Sequence, residues 1–166
     1  AKELVAMDFD GYNLGGYVLD DEGNLIVNEM KAIIDNTPDD KFRYAMGLGT
    51  PEDIFRAAQI GYTLFDTVLP TRNARHGTLY TAVEGEEILK IKNAKYSSDL
   101  TPIDPTCDCE ACTNHTRAYV HQMLKVGEFT GMTLASIHNL RFYQRLIEGL
   151  NSNRERIQNM KFNDIL

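Results

Sequence analysis

Cys107, Cys109 and Cys112 stand within six residues of one another in the stretch PTCDCEACTNH, and they are all the cysteines of the chain. An odd, crowded set is a poor disulfide framework. One residue separates Cys107 from Cys109, too few for an unstrained bridge, and secreted domains that rely on disulfides spread and pair their cysteines. Redox use is the weaker rival, because no Cys-x-x-Cys opens a helix after a strand in a thioredoxin-like order. Inert packing fits poorly with flanks as polar as these. Metal binding fits best: three soft ligands share one tight loop, one short of the four that a tetrahedral zinc takes. A site with four protein ligands is closed, so such a zinc is structural rather than catalytic.

The fourth ligand is to be sought among His76, His115, His121 and His138. His115 follows Cys112 at a spacing that zinc sites use. His121 could lie on the helix that leaves the cysteine loop. His138 falls in the next helical pattern and could fold back over the loop. Spacing alone leaves His115 and His138 both open.

A second group of residues sits where strands are expected to end. DGYNLGGYVL reads as a strand running into a glycine loop. NLIVNEMKAIIDNT has helical spacing, with Ile26, Met30, Ile33 and Ile34 on one stripe. FRYAMGLGT is a second strand. In the helix PEDIFRAAQIG, Thr50 is the expected N-cap, Pro51 the first helical residue, Asp53 a first-turn acid and Gly61 the terminator. YTLFDTVLP reads as a third strand ended by Pro70. This alternation predicts an α/β fold with a parallel sheet and right-handed crossovers. Gly15, Gly16, Met46, Gly47 and Asp66 then fall at C-terminal strand ends, where open α/β sheets and (β/α)8 barrels build their sites. Three strands are too few to close a barrel of eight. The bland alternatives are a turn or cap for Asp66 and core filling for Met46.

After Pro70 the pattern changes. HGTLYTAVEGEEILKIKNAKY alternates about a Glu-Gly turn and predicts a hairpin. TRAYVHQMLKVGEF and LASIHNLRFYQRLIEGL predict two helices, the second with Leu134, Ile137, Leu140, Leu146, Ile147 and Leu150 at core spacing. NSNRERIQNMKFNDIL is polar enough for a last helix or a loose tail.

The hydrophobic fraction is 43% and the mean hydropathy −0.34, as in ordinary water-soluble domains. No apolar run approaches a membrane span, and AKELVAMDFDG has no apolar signal core, so a cytoplasmic protein without a membrane partner is expected. The net charge of −7 argues against nucleic acid until its distribution is read. Residues 1–60 carry five Lys/Arg against twelve Asp/Glu, so the remainder balances at twelve of each. Within it Arg72, Arg75, Lys90, Lys92 and Lys95 gather, with Glu84, Glu86 and Glu87 between them. A local basic face can bind phosphates on an acidic chain, although mixed surfaces of this kind are ordinary.

GLGTPEDI, FDTVLPTRNARHG, CDCEACTNHTRAYVHQM and SIHNLRFY, in this order, resemble the bacterial-type tRNA-guanine transglycosylases (queuine tRNA-ribosyltransferases). DFDGYNLGG looks like a further segment of that family, and the likeness extends over roughly residues 5–150. The resemblance implies a (β/α)8 barrel with an inserted zinc subdomain, of which this chain supplies the C-terminal portion with the last three strands. On that template residues 1–75 are partial barrel, 76–140 the hairpin and zinc-binding subdomain, and 141–166 the closing helices. The implied zinc ligands are Cys107, Cys109, Cys112 and His138, with His115 a bystander.

The resemblance also implies an activity: guanine at the wobble position of a tRNA anticodon is exchanged for a 7-deazaguanine base, queuine or its precursor. Asp66 is the implied nucleophile, forming a covalent ribosyl intermediate. Gly15, Gly16, Met46 and Gly47 face the base, Arg72 and Arg75 of the PTRNAR loop hold the RNA, and the enzyme is a homodimer. Tyr17 and Thr67 depart from the family's usual Leu and Cys, the first bearing on base preference. The family's other catalytic aspartate, the general acid/base, has no counterpart in these residues, so the chain by itself is expected to be inactive. The competing reading is a non-catalytic zinc-stabilised module for dimerisation or RNA docking, akin to the family's accessory subunit. Retention of Asp66, Arg72 and Arg75 weighs against it.

Overall fold

A computed structural model describes every residue except Tyr17, so the departure noted at that position lies outside the described residues. The chain falls into two compact units, Ala1–Thr67 with Asn153–Phe162, and Val68–Ser152 with Asn163–Leu166.

The first unit opens with a short helix, α1 (Lys2–Val5), followed by β1 (Gly11–Leu14), α2 (Val27–Ile34), β2 (Phe42–Ala45), α3 (Pro51–Ile60) and β3 (Leu64–Phe65). The strands form a parallel sheet in the order β1-β2-β3, as the alternation predicts. Register puts Leu14 beside Ala45 and Ala45 beside Phe65. Those three point to one face, where they pack with Met30 of α2 and Ala57 of α3. The opposite face carries Asn13, Phe42, Tyr44 and Leu64, of which Phe42 is 60% and Leu64 44% exposed. Parallel sheets are ordinarily covered on both faces, so this sheet is half dressed. Gly11 is required where it stands: a Cβ there would lie 2.8 Å from that of Phe42.

Thr50 caps α3 by accepting from the Asp53 N–H, and Gly61 ends it at φ 122°. The C-terminal tail is docked rather than loose. Gln59 of α3 donates to the carbonyls of Ile157 and Met160, and Phe55 meets Phe162 edge to face at 5.8 Å.

The second unit contains α4 (Leu69–Arg75), an antiparallel hairpin of β4 (Thr78–Tyr80) and β5 (Ile88–Lys90), then α5 (Glu110–Asn114), α6 (Arg117–Val126) and the 24-residue α7 (Phe129–Ser152). Its core joins Leu79, Leu89 and Ile91 of the hairpin to Val120, Leu134 and Ala135 of α6 and α7. Gly131 lets α6 and α7 touch, since a Cβ there would fall 2.7 Å from the Met123 Cβ.

Three sequence expectations need correction. Pro70 does not end a strand. The strand stops at Phe65, and Pro70 sits in the first turn of α4, where its missing N–H costs nothing. The PTRNAR segment is therefore helix, not loop. Leu140 is 50% exposed although it falls on the apolar stripe of α7. Leu134, Leu146 and Leu150 are buried as expected, but between them the buried side runs through Ala135, His138, Asn139, Phe142 and Tyr143, because this helix buries polar groups that have partners.

Candidate active site and metal centre

In the first unit the residues just past the aligned strand ends are Gly15, Met46 and Asp66, one from each strand at the same level of the sheet. Asp66 is exposed. The Gly47 N–H and the Tyr44 hydroxyl both donate to its Oδ1, each at 2.7 Å. These bonds favour the charged form and hold the carboxyl below its usual range, the Gly47 N–H contributing most; the carboxylate in turn raises the Tyr44 phenol. Gly47 must adopt φ 70° to aim its N–H, a conformation that favours glycine. Asn13 Nδ2 lies 2.9 Å from the Met46 sulfur and steadies that otherwise flexible side chain. A Cβ on Gly16 or Gly47 would meet open space, and one on Gly15 only the Asn13 amide at 3.8 Å. The result is an ionised carboxylate, anchored by one oxygen, beside a bare glycine backbone and a polarizable sulfur.

In the second unit the ligand atoms of Cys107, Cys109, Cys112 and His138 all lie within 4.8 Å of one another, and all four residues are buried. The His138 Nδ1 is 3.2 Å from the Cys112 sulfur and 3.6 Å from that of Cys109. Its Nε2 donates to the Tyr80 carbonyl at 2.7 Å, which fixes the tautomer and leaves Nδ1 facing the sulfurs. Crowding splits the thiols: hydrogen bonding with Cys109 and Cys112 pushes Cys107 down, while bonding with Cys107 and Cys109 pushes Cys112 up. Tetrahedral zinc, with bonds of about 2.3 Å to sulfur, has sulfur–sulfur edges of about 3.8 Å, the scale on which these four ligand atoms are gathered. His115 and His121 are elsewhere. The His115 ring stacks on Tyr119 at 4.7 Å, and the His121 Nδ1 donates to the Ile91 carbonyl.

The family model described as queuine tRNA-ribosyltransferase matches residues 1–166. The chain belongs to the queuine tRNA-ribosyltransferase family. Among proteins of that name, one from Thiobacillus denitrificans is 46% identical over 147 residues, covering 89% of this chain and 39% of the relative. One from Actinobacillus pleuropneumoniae serotype 3 is 44% identical, covering the whole chain and 42% of the relative. One from Haemophilus influenzae is 42% identical, covering 98% and 41%. The chain thus spans about two fifths of the length of these queuine tRNA-ribosyltransferases.

Arg72 and Arg75, which the family resemblance singled out, are exposed on α4 in the second unit. Two residues of the chain carry no signal in the sequence. Tyr44 was seen only as a strand residue, and nothing short of strand register places it beside Asp66. Asn139 shows in the sequence only as a polar position on an apolar helix. It is fully buried, accepts from the Tyr80 N–H, and donates to the carbonyls of Pro70 and Thr78. Neighbouring His138 and Asn139 therefore clasp both backbone groups of Tyr80.

Among the described residues no helix is long and apolar enough to cross a membrane.

Proposed function

We propose that this chain carries the nucleophile, part of the base pocket and the zinc subdomain of a tRNA-guanine transglycosylase that installs a 7-deazaguanine at the anticodon wobble position. The observation that carries the reading is the Asp66 carboxylate, exposed at a strand end and bonded through one oxygen to Gly47 and Tyr44. Its free oxygen attacks the ribose C1′ of the target guanosine. The C1′–O bond forms as the C1′–N9 bond breaks, and the electron pair goes to N9, which takes a proton from an acid outside these residues. The incoming base then gives up its ring N–H proton to that same outside group and attacks C1′ through the nitrogen; the C1′–O bond breaks with its electron pair returning to Asp66, so two inversions give net retention. A low carboxyl pKa suits both steps: the nucleophile is ionised without a helper base, and it is a good leaving group. Gly15, Gly16 and Gly47 offer backbone to the planar base, and Met46 a face to stack on.

The half-dressed sheet supports the barrel. Its helices cover one face, and the bare face with Phe42 and Leu64 is the one that would line a (β/α)8 interior. Cys107, Cys109, Cys112 and His138 would hold zinc, tying the cysteine loop to α7 and the hairpin. Arg72 and Arg75 supply forked donors to the anticodon loop.

In the intact enzyme, Asp66→Asn is expected to abolish exchange of labelled guanine into anticodon stem-loop RNA while leaving RNA affinity within a few fold. Exchange at near the parental rate in that variant would remove Asp66 from the nucleophile's role.

A further inference from the structure

The second unit distributes its charges unevenly. Arg117 pairs with Glu86 and Asp99, Arg141 with Asp108 and Glu148, and Arg145 with Asp104. Among the described residues Arg72, Arg75, Lys90 and Lys92 have no ion-pair partner, and all four are exposed. They are also joined physically. The His76 ring donates to the Arg72 carbonyl at 2.7 Å and closes α4. Gly77 follows at once and accepts from the Ile91 N–H at 2.9 Å, which lays the end of α4 against the segment, the end of β5 and the turn after it, that bears the lysines. The Lys92 stem runs so close over Gly77 that a Cβ there would lie 2.9 Å from its Cγ. Lys90 stands across from Thr78, to whose hydroxyl its ammonium donates at 2.9 Å. Leu89 and Ile91 are buried, while Lys90 at the end of β5 and Lys92 in the turn just after it are both exposed. The far end of the hairpin is acidic: Glu84 and Glu87 are exposed, and Glu87 is tied to the Gly85 N–H. Positive charge is thus confined to the end that adjoins α4.

We infer that Lys90 and Lys92 form a phosphate-binding track that continues from Arg72 and Arg75 and holds the RNA backbone flanking the anticodon loop. This rests on the proposed tRNA substrate and extends it. Lysine suits such a role because its ammonium is a point charge that meets phosphate without reading bases, whereas the arginine fork discriminates planar partners. Carboxylates kept off these four cations leave them for a polyanion, and an acidic hairpin tip repels a phosphate strand that runs past the track.

The test is affinity of the intact enzyme for anticodon stem-loop RNA over a range of salt concentrations, comparing Lys90→Gln/Lys92→Gln with Arg72→Gln/Arg75→Gln. Each phosphate contact adds roughly 0.7–0.9 to the slope of log affinity against log salt, so the lysine double variant is expected to flatten that slope by about 1.4–1.8. Affinity at low salt should fall on the order of tenfold, equally for RNAs with native or altered loop bases. Zinc content should stay unchanged. An unaltered slope and affinity in the lysine variant, while the arginine variant is weakened, would overturn the track and leave the tRNA reading standing. Unaltered binding in both variants would overturn the reading along with the track.

Discussion

At the scale of single residues, Asp66 and His138 carry the account, and each is defined by what bonds to it. Because Gly47 and Tyr44 bond to the ionised carboxylate, they depress its pKa. Removing one donor in Tyr44→Phe raises the carboxyl pKa toward the ordinary value of about 3.9. The ionised nucleophile is then lost at a higher pH as acid is added, and a carbon-detected titration of labelled aspartate should show that upward move. No change in the Asp66 titration would reduce Tyr44 to packing. For the metal centre the contrast is His138→Ala against His115→Ala. The first is expected to lose zinc and protection from hydrogen exchange over residues 100–140, because structural zinc contributes on the order of 10–16 kcal/mol of apparent binding free energy coupled to folding. The second should keep both, since His115 only stacks on Tyr119. Metal analysis with the two outcomes exchanged would reassign the fourth ligand.

At the scale of elements, polar contacts across helix α7 decide how it sits. Asn139→Ala leaves the Tyr80 N–H and the carbonyls of Pro70 and Thr78 without that partner, and a buried unpaired group costs about 1–3 kcal/mol. Destabilisation of about 3 kcal/mol in chemical denaturation is expected, with the nearly isosteric Asn139→Asp unable to restore two lost donors. A loss below about 0.5 kcal/mol would show that water replaces the amide. The same helix shows what was legible in the sequence. Apolar period and caps placed α3 and α7 closely, because Thr50, Gly61 and the leucine stripe act locally. Leu140 was misjudged because periodicity registers hydrophobicity, not partners; the buried side of α7 is chosen by His138 and Asn139, whose bonds reach residues 58 and more positions away. Pro70 was misread for a related reason: a proline ends a strand or starts a helix equally well until the next turn is seen. The thiol group was legible in spacing, and its fourth member came from the resemblance to a family rather than from spacing.

At the scale of the whole molecule, the chain spans about two fifths of its relatives' length and its parallel sheet has an uncovered face. Strands β1 and β3 each pair on one side only among the described residues, and open edges and apolar faces favour association with other chains. The 166 residues alone are expected to self-associate and to show no base exchange, because the proposed mechanism draws general acid–base help worth roughly 10²- to 10⁴-fold, and part of the substrate's positioning, from outside them. Sedimentation showing a monodisperse monomer, or exchange at an intact enzyme's rate, would contradict this. The central claim is that Asp66 becomes joined to RNA, and the most direct measurement isolates that bond. The intact enzyme is mixed with anticodon stem-loop RNA and guanine, quenched in denaturant, digested, and the RNA-linked peptide sequenced by mass spectrometry. The account predicts a ribosyl ester on the peptide containing Asp66, absent from Asp66→Asn. An RNA link mapped to another residue, or full exchange with no covalent species at any time, would contradict it.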